Sequence, residues 1–394
     1  MGNPLPAHLA HLPAPDADAA AHSARLTQLI AGEIGQAGGW LGFARYMELA
    51  LHAPGLGYYS AGARKFGPDG DFVTAPELGP LFARTLARQA AQVVRATGGD
   101  ILELGAGSGR LACDLIAELA ALDCLPRRYR ILETSAELKA RQAALLQQEL
   151  PQLAACVEWL DALPASFTGF AFGNEVLDAM PVHVIRARAD GIAELGVAFD
   201  GEKFSWSARP AQGAVLMAAQ ALNLPDNENE DYTTEIGLAA QAFVRTLATR
   251  LEHGVALFID YGFPAREYYH AQRNQGTLIC HYRQHAHDDP FALVGLQDIT
   301  AHVDFSAIAR AGVESGLELL GYCGQARFLI NSGITGFLEK IPAENVKAYL
   351  PSSTEANKLL SPAEMGELFK VIAMGKNFAE PLMGFSSGDR RQAL

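Results

Sequence analysis

The segment Glu103-Leu104-Gly105-Ala106-Gly107-Ser108-Gly109 places a carboxylate just ahead of three alternating glycines. Glycines at a strand-to-helix turn let a ligand approach the backbone, and the helix that follows offers unpaired N–H groups. The GxGxG spacing departs from the GxGxxG of dinucleotide folds, and Glu103 stands where it would meet a positive charge or an amino group. S-Adenosylmethionine fits that pattern better than a pyrophosphate, with Glu103, Gly105, Ala106, Gly107 and Gly109 as its contacts. Glu133 ends the next apolar stretch, where a carboxylate can accept both hydroxyls of a ribose. Asp161 closes the stretch Val157–Leu160. It either bonds the adenine amino group while Trp159 or Leu160 walls the ring, or caps the element after it. The plain alternative for the whole set is a tight turn with a strand-end Glu facing water.

The elements that must position these groups alternate. Ile101–Leu104, Tyr129–Glu133, Val157–Leu160 and Phe170–Asn174 read as strands, with helices Leu111–Ala121 and Ala136–Leu150 between them. That alternation gives an α/β doubly wound parallel sheet. Residues 182–210 alternate with period two around Asp190-Gly191 and Asp200-Gly201, so antiparallel hairpins are expected there. A helix over Glu235–Leu251 leads into Val255–Asp260, apolar enough to be buried on both faces. Asp304–Ser315 and Ala326–Met374 read as mostly helical, and the acidic run Asp226–Asp231 as a solvated loop. The expected organisation is a loose tail over 1–23, an N-terminal helical and cap segment over 24–96, a core over 97–265, and a lid loop with a mostly helical lobe over 266–394.

The chain has 394 residues, 49% hydrophobic, with 31 Lys plus Arg against 44 Asp plus Glu. The net charge of -13 disfavours long-range attraction to nucleic acid and favours a protein or small-molecule substrate. Five cysteines without a CxxC pair suit free thiols in a reducing compartment. No stretch has signal-peptide character or reaches membrane-spanning length, so a cytoplasmic protein is expected. Cys280, His281, His285, His287 and His302 match no standard zinc spacing, and no metal is expected. Oligomeric state is not legible.

Gly57-Tyr58-Tyr59-Ser60, Gly70 to Glu77, Glu103 to Gly107, Asn174 to His183, Asp260-Tyr261-Gly262, Gln297 to Phe305 and Met365 to Lys370 together resemble the MidA family of methyltransferases. That family is related to the mitochondrial complex I assembly protein arginine methyltransferase. The resemblance covers nearly the whole chain beyond the tail. It implies a class I, Rossmann-like methyltransferase fold with a β-hairpin insertion and an added helical lobe, S-adenosyl-L-methionine as donor, and a protein arginine as acceptor.

Methyl transfer from a sulfonium is an in-line displacement, so alignment of donor and nucleophile is the protein's main task. A guanidinium stays protonated in water, and carboxylates must orient it and help remove a proton. Glu175 and Asp178 are expected to grip it, with Asn174 accepting from the acceptor or lining the methyl path. Otherwise Asn174 caps a helix whose exposed first turn carries the two acids. Asp260 could join the acidic cage and Tyr261 could stack on substrate, or the pair could form a plain turn. The segment Gly57–Glu77 resembles the family's cap, with Asp71, Thr74, Pro76 and Glu77 as contacts to cofactor or acceptor; Arg64-Lys65 is expected in solvent. Two other functions compete: an assembly factor that binds S-adenosylmethionine with little turnover, and an NAD(P)-dependent oxidoreductase, for which no hydride-site pair is visible.

Overall fold

The computed structural model describes residues 7–60, 74–225, 231–342 and 344–394. They fall into two compact units. One comprises Val73–Leu177, Gln241–Pro264 and Val303–Leu394, the other Met1–Phe72, Asp178–Ala240 and Ala265–His302. Asp71, Arg64, Lys65 and the acidic stretch 226–230 lie outside the described residues.

The first unit is built on a sheet whose principal strands, numbered along the chain, are β1 (Asp100–Leu104), β2 (Tyr129–Leu132), β3 (Val157–Leu160), β4 (Phe167–Asn174), β5 (Leu251–Phe263), β6 (Glu318–Gly324) and β7 (Phe369–Lys376). Their order across the sheet is 3-2-1-4-5-7-6, with the short strand Val303–Asp304 added beside the end of β5. Strands 1 to 5 run parallel. β7 is wedged antiparallel between β5 and β6. Strands covered on both faces need no polar alternation. Accordingly Val255 to Ile259 and Val371 to Met374 are continuous apolar runs with no exposed side chain. The helices that cover the sheet include α1 (Ala75–Leu78), α2 (Leu81–Thr97), α3 (Arg110–Ala121) and α4 (Ala136–Glu149). Phe82, Leu86, Ala90 and Val93 of α2 and Leu115 and Ile116 of α3 share one core with Phe170, Phe172 and Leu257. Truncating Phe170 or Phe172 to Ala would cost about 3–5 kcal/mol. The end of α2 is fixed by Gly98, which adopts the left-handed conformation that other residues avoid.

The C-terminal segment is not the mostly helical lobe expected. It contributes helices Phe305–Glu314, Gln325–Asn331 and Val346–Leu360, but also β6 and β7. A four-residue apolar run buried on both faces carries no period to separate strand from helix, which is why Val371 to Met374 read as helix.

In the second unit, the expected hairpins are present as strands His183–Arg188, Gly191–Phe199 and Phe204–Pro210. Tyr232–Ile236 and Leu41–Gly42 complete a five-stranded antiparallel sheet. Asp200 turns the second hairpin by accepting from the Glu202 and Lys203 amides at 2.9 Å each. Helices Ala17–Gln36 and Phe43–His52 pack Leu26, Ile30, Tyr46 and Met47 against Val184 and Val197. The loose tail is corrected here. Asp16 caps the first of these helices by accepting from the Ala19 amide at 2.9 Å, and Leu9 and Leu12 are buried with Tyr282 and Leu293. Two leucines three apart ahead of an Asp cap are an ordering signal that the surrounding prolines mask. Glu235, read as the start of a helix, ends a strand instead. It is buried, accepting from the Thr277 and Leu278 amides, and the helix begins at Leu238.

Among the described residues no helix is long and apolar enough to cross a membrane, and no three His, Cys, Asp or Glu side chains are grouped to hold a metal ion.

Candidate functional site

In an open α/β sheet ligands bind at the carboxyl ends of the strands, where the strand order reverses. That point lies between β1 and β4. β1 ends at Leu104, and the chain turns through Gly105, Gly107 and Gly109 at φ of 66°, 51° and 86°. Only glycine takes those angles without strain. Gly109 supplies no side chain to cap α3, so amides of its first turn other than that of Arg110 are left for a ligand. Ser108 tightens the loop: its hydroxyl accepts from the Arg110 amide and donates to the Glu77 carboxylate of α1. Thr74, buried, precedes α1, and Pro76 is buried within it, so this short helix closes on the glycine turn through Glu77.

Carboxylates collect at this end of the sheet. Glu103 is buried and accepts from the Tyr129 hydroxyl at 2.6 Å. Burial raises its pKa to about 7, against the pull of that hydrogen bond and with the Glu133 charge adding to the rise. Glu133 is buried as well. Its Oε1 accepts from the Ser135 amide at 2.9 Å and its Oε2 from the Gln142 side chain at 3.2 Å. Burial moves its pKa up, opposed by those donors. Gln142 joins three parts of the site: its amide nitrogen also donates to the Gly107 carbonyl at 2.9 Å, and its oxygen accepts from the Trp159 indole at 2.8 Å. Asp161, by contrast, is 88% exposed and paired with Lys139.

Beyond β4 the chain forms a turn rather than a helix, which removes the alternative that Asn174 is a helix cap. Glu175 sits at φ 54°, a left-handed conformation unusual for a residue with a side chain. Its amide donates to the Ile259 carbonyl at 2.9 Å. Asn174 donates from Nδ2 to Glu175 Oε1 at 2.9 Å, while its Oδ1 is buried without a hydrogen-bond partner among the described residues. A buried carbonyl oxygen without a partner costs free energy, which makes Asn174 a candidate to meet a bound group.

Two sequence expectations change. Asp260 is fully buried, and its Oδ2 accepts from the Val176 and Leu177 amides at 3.1 and 2.8 Å, so it holds the turn rather than widening an acidic cage. Tyr261 packs on Phe369 with ring centroids 3.8 Å apart, so its ring is occupied by protein. Asp178 opens the other unit, where it is buried and its carbonyl accepts from the Ala301 amide at 3.1 Å. Tyr129, Gln142 and Ser108 were missed by sequence reasoning. A polar Gln on the apolar face of a helix flanking the glycine turn is the one signal that pointed to any of them.

An anionic pyrophosphate would meet Glu103 and Glu133 at this turn, whereas a sulfonium carrying an ammonium and a ribose fits them. The glycine-lined backbone likewise fits S-adenosylmethionine. An antiparallel β7 between β5 and β6 also departs from the 3-2-1-4-5-6 order of dinucleotide-binding sheets. Fold and site together define a class I methyltransferase. Residues 85–323 match the family described as "Putative S-adenosyl-L-methionine-dependent methyltransferase". The chain belongs to this family, whose methyl donor is S-adenosyl-L-methionine, in agreement with the MidA resemblance of its motifs.

Among similar proteins, the zebrafish (Danio rerio) mitochondrial protein arginine methyltransferase NDUFAF7 is 27% identical over 88% of this chain and 89% of its own length. The rat (Rattus norvegicus) protein of the same name is 28% identical over 84% and 80%. A Burkholderia thailandensis protein solved with S-adenosyl-homocysteine bound is 51% identical and superposes with a TM-score of 0.93, covering 97% of this chain and all of that one.

Proposed function

We propose that this methyltransferase acts on an arginine side chain of a partner protein. The observation that carries the reading is the Asn174–Glu175 pair: a carboxylate and a buried amide oxygen with no hydrogen-bond partner among the described residues, side by side at the end of β4. A guanidinium needs an anion to orient it and an acceptor for the proton it sheds, and these two groups supply that chemistry. The relatives named as protein arginine methyltransferases support the same acceptor, as does a net charge of -13, which suits a cationic protein segment.

S-Adenosylmethionine, when bound, supplies an electrophilic methyl group on a positive sulfur. The chain's own residues do the rest. Amides of the glycine turn other than those of Gly105 and Gly109, which bond the Leu132 and Ala106 carbonyls, hold the nucleoside together with the Glu133 carboxylate, and Glu103 places a carboxyl group beneath the turn. Gln142 locks the Gly107 carbonyl and Glu133 into one arrangement, so the cradle is formed before binding. Asn174 Nδ2 orients Glu175, whose carboxylate holds the guanidinium and takes its proton, while Asn174 Oδ1 accepts a second guanidinium N–H. Asp161 at the end of β3 is assigned to the adenine amino group.

The test is incubation of purified protein with S-adenosylmethionine labelled in the methyl group and a cell lysate, followed by mass spectrometry of labelled proteins. Methylarginine is expected, lost in Glu175→Gln while S-adenosylhomocysteine still binds. Label on another residue type would overturn the arginine assignment. Binding without any labelled protein would favour an assembly factor.

A further inference from the structure

The left-handed backbone at Glu175 needs something to hold it, since a residue with a Cβ relaxes out of that conformation when unconstrained. Three hydrogen bonds grip the segment. Glu175 donates its amide to the Ile259 carbonyl, and the next two amides, Val176 and Leu177, both point to one oxygen of Asp260. Both acceptors belong to residues 259 and 260 of β5, the neighbour of β4 in the sheet. The Val176 side chain completes the clamp: a Cβ added at Gly105 would lie 3.5 Å from its Cγ2, and one at Gly173 3.3 Å from the same methyl. The turn is therefore wedged against the first glycine of the cofactor loop and tied from the other side by Asp260.

We infer that Asp260 is a positioning residue for methyl transfer: by accepting from the Val176 and Leu177 amides it holds Glu175 in the strained backbone that aims its carboxylate at the acceptor. This rests on the acceptor role given to Glu175. It separates a half-buried acid from a buried one, Glu175 acting on the acceptor and Asp260 acting through the backbone. Lys370, opposite Asp260 in the β5–β7 register, is buried and donates to the Glu367 carbonyl, so its ammonium keeps an acceptor when Asp260 is changed.

Asp260→Asn and Asp260→Ala separate the possibilities, because Asn keeps an oxygen able to accept both amides and Ala keeps none. Three readouts are taken on each full-length protein: calorimetric affinity for S-adenosylhomocysteine, deuterium uptake of the peptide spanning residues 174–178, and initial rate of methyl label transfer to lysate protein. For Asp260→Ala, transfer is expected to fall about 100-fold, the scale of a misplacement of roughly 1 Å, with faster deuterium uptake at 176 and 177. Homocysteine-product affinity should stay within about threefold, because the nucleoside contacts lie on other strands. Asp260→Asn is expected to restore both slow uptake and at least about a tenth of the transfer rate. Asn as inactive as Ala with normal exchange at 176 and 177 would overturn the inference and make the Asp260 charge itself part of the chemistry. Ala with normal exchange and normal transfer would overturn it too. If Ala does not fold, Asn alone decides: slow exchange with transfer retained supports positioning, and slow exchange with transfer lost refutes it. Failure of the Glu175 assignment is visible separately, as transfer that survives Glu175→Gln in the same assay.

Discussion

Replacing Glu103 by Gln should change how stability depends on pH, by an amount set by burial. Burial first, and repulsion from Glu133 after it, lift the Glu103 pKa from 4.5 to about 7 even though the Tyr129 hydroxyl donates to it. The folded protein therefore holds this proton more tightly than the unfolded chain does. The stability linked to that proton is fully present below pH 4.5, declines as pH rises, and is gone once pH has passed through about 7. At 1.36 kcal/mol for each pH unit of difference, the whole effect is about 3 kcal/mol. Gln keeps an oxygen for the Tyr129 hydroxyl and carries no charge to desolvate. Urea unfolding followed by circular dichroism at pH 4.5 and pH 8 gives the stability of each protein. The variant's stability relative to the parent should rise by about 3 kcal/mol between the two pH values. Glu133, present in both proteins, largely drops out of the comparison. A difference that moves by less than about 0.5 kcal/mol would refute the idea that a buried, costly carboxylate underlies the glycine turn. The gain in stability should come with weaker cofactor binding, as expected when a destabilising group is retained for its role in a site.

Gly109→Ala forces a side chain onto a backbone at φ 86° and places its Cβ 3.2 Å from the Gln142 Cα. Thermal unfolding should show a loss of at least about 1–2 kcal/mol, with weakened S-adenosylhomocysteine binding, and an unchanged midpoint would contradict the left-handed cap. Gln142→Ala leaves the Trp159 indole and Glu133 Oε2 each short of a partner; about 1–3 kcal/mol of stability should be lost, and tryptophan fluorescence should shift before any ligand is added. In the Val346–Leu360 helix, Glu355 accepts from the Leu81 amide at 2.7 Å and so caps α2 from a distant part of the chain. Glu355→Ala should cost about 1 kcal/mol in denaturant unfolding, and no change would mean that water replaces the cap.

The parallel half of the sheet was legible because its strands are apolar runs closed by polar residues, and the first two are each followed by a helix. The cofactor end was legible for the same reason: Glu103, the glycines and Glu133 sit at strand ends, where spacing alone locates them. The antiparallel β7 was hidden, since an apolar run buried on both faces looks alike in helix and strand. The acidic residues were ambiguous in another way. Glu175 and Asp260 have the same chemistry and both follow apolar strands, but one oxygen of Asp260 is consumed by two backbone amides. Hydrogen bonds between residues 83 and 84 positions apart leave no trace in local pattern. The left-handed turn at Glu175 was equally invisible, because nothing in the residue type announces positive φ.

Calorimetric titration of S-adenosylhomocysteine into the parent protein, Glu133→Gln and Glu175→Gln tests the division of the site most directly. The expected result is binding by the parent, affinity lowered about tenfold or more in Glu133→Gln, and affinity within about twofold of the parent in Glu175→Gln. No binding by the folded parent, or equal weakening by both substitutions, would contradict a nucleoside held at the ends of β1 and β2 with the acceptor groups at the end of β4.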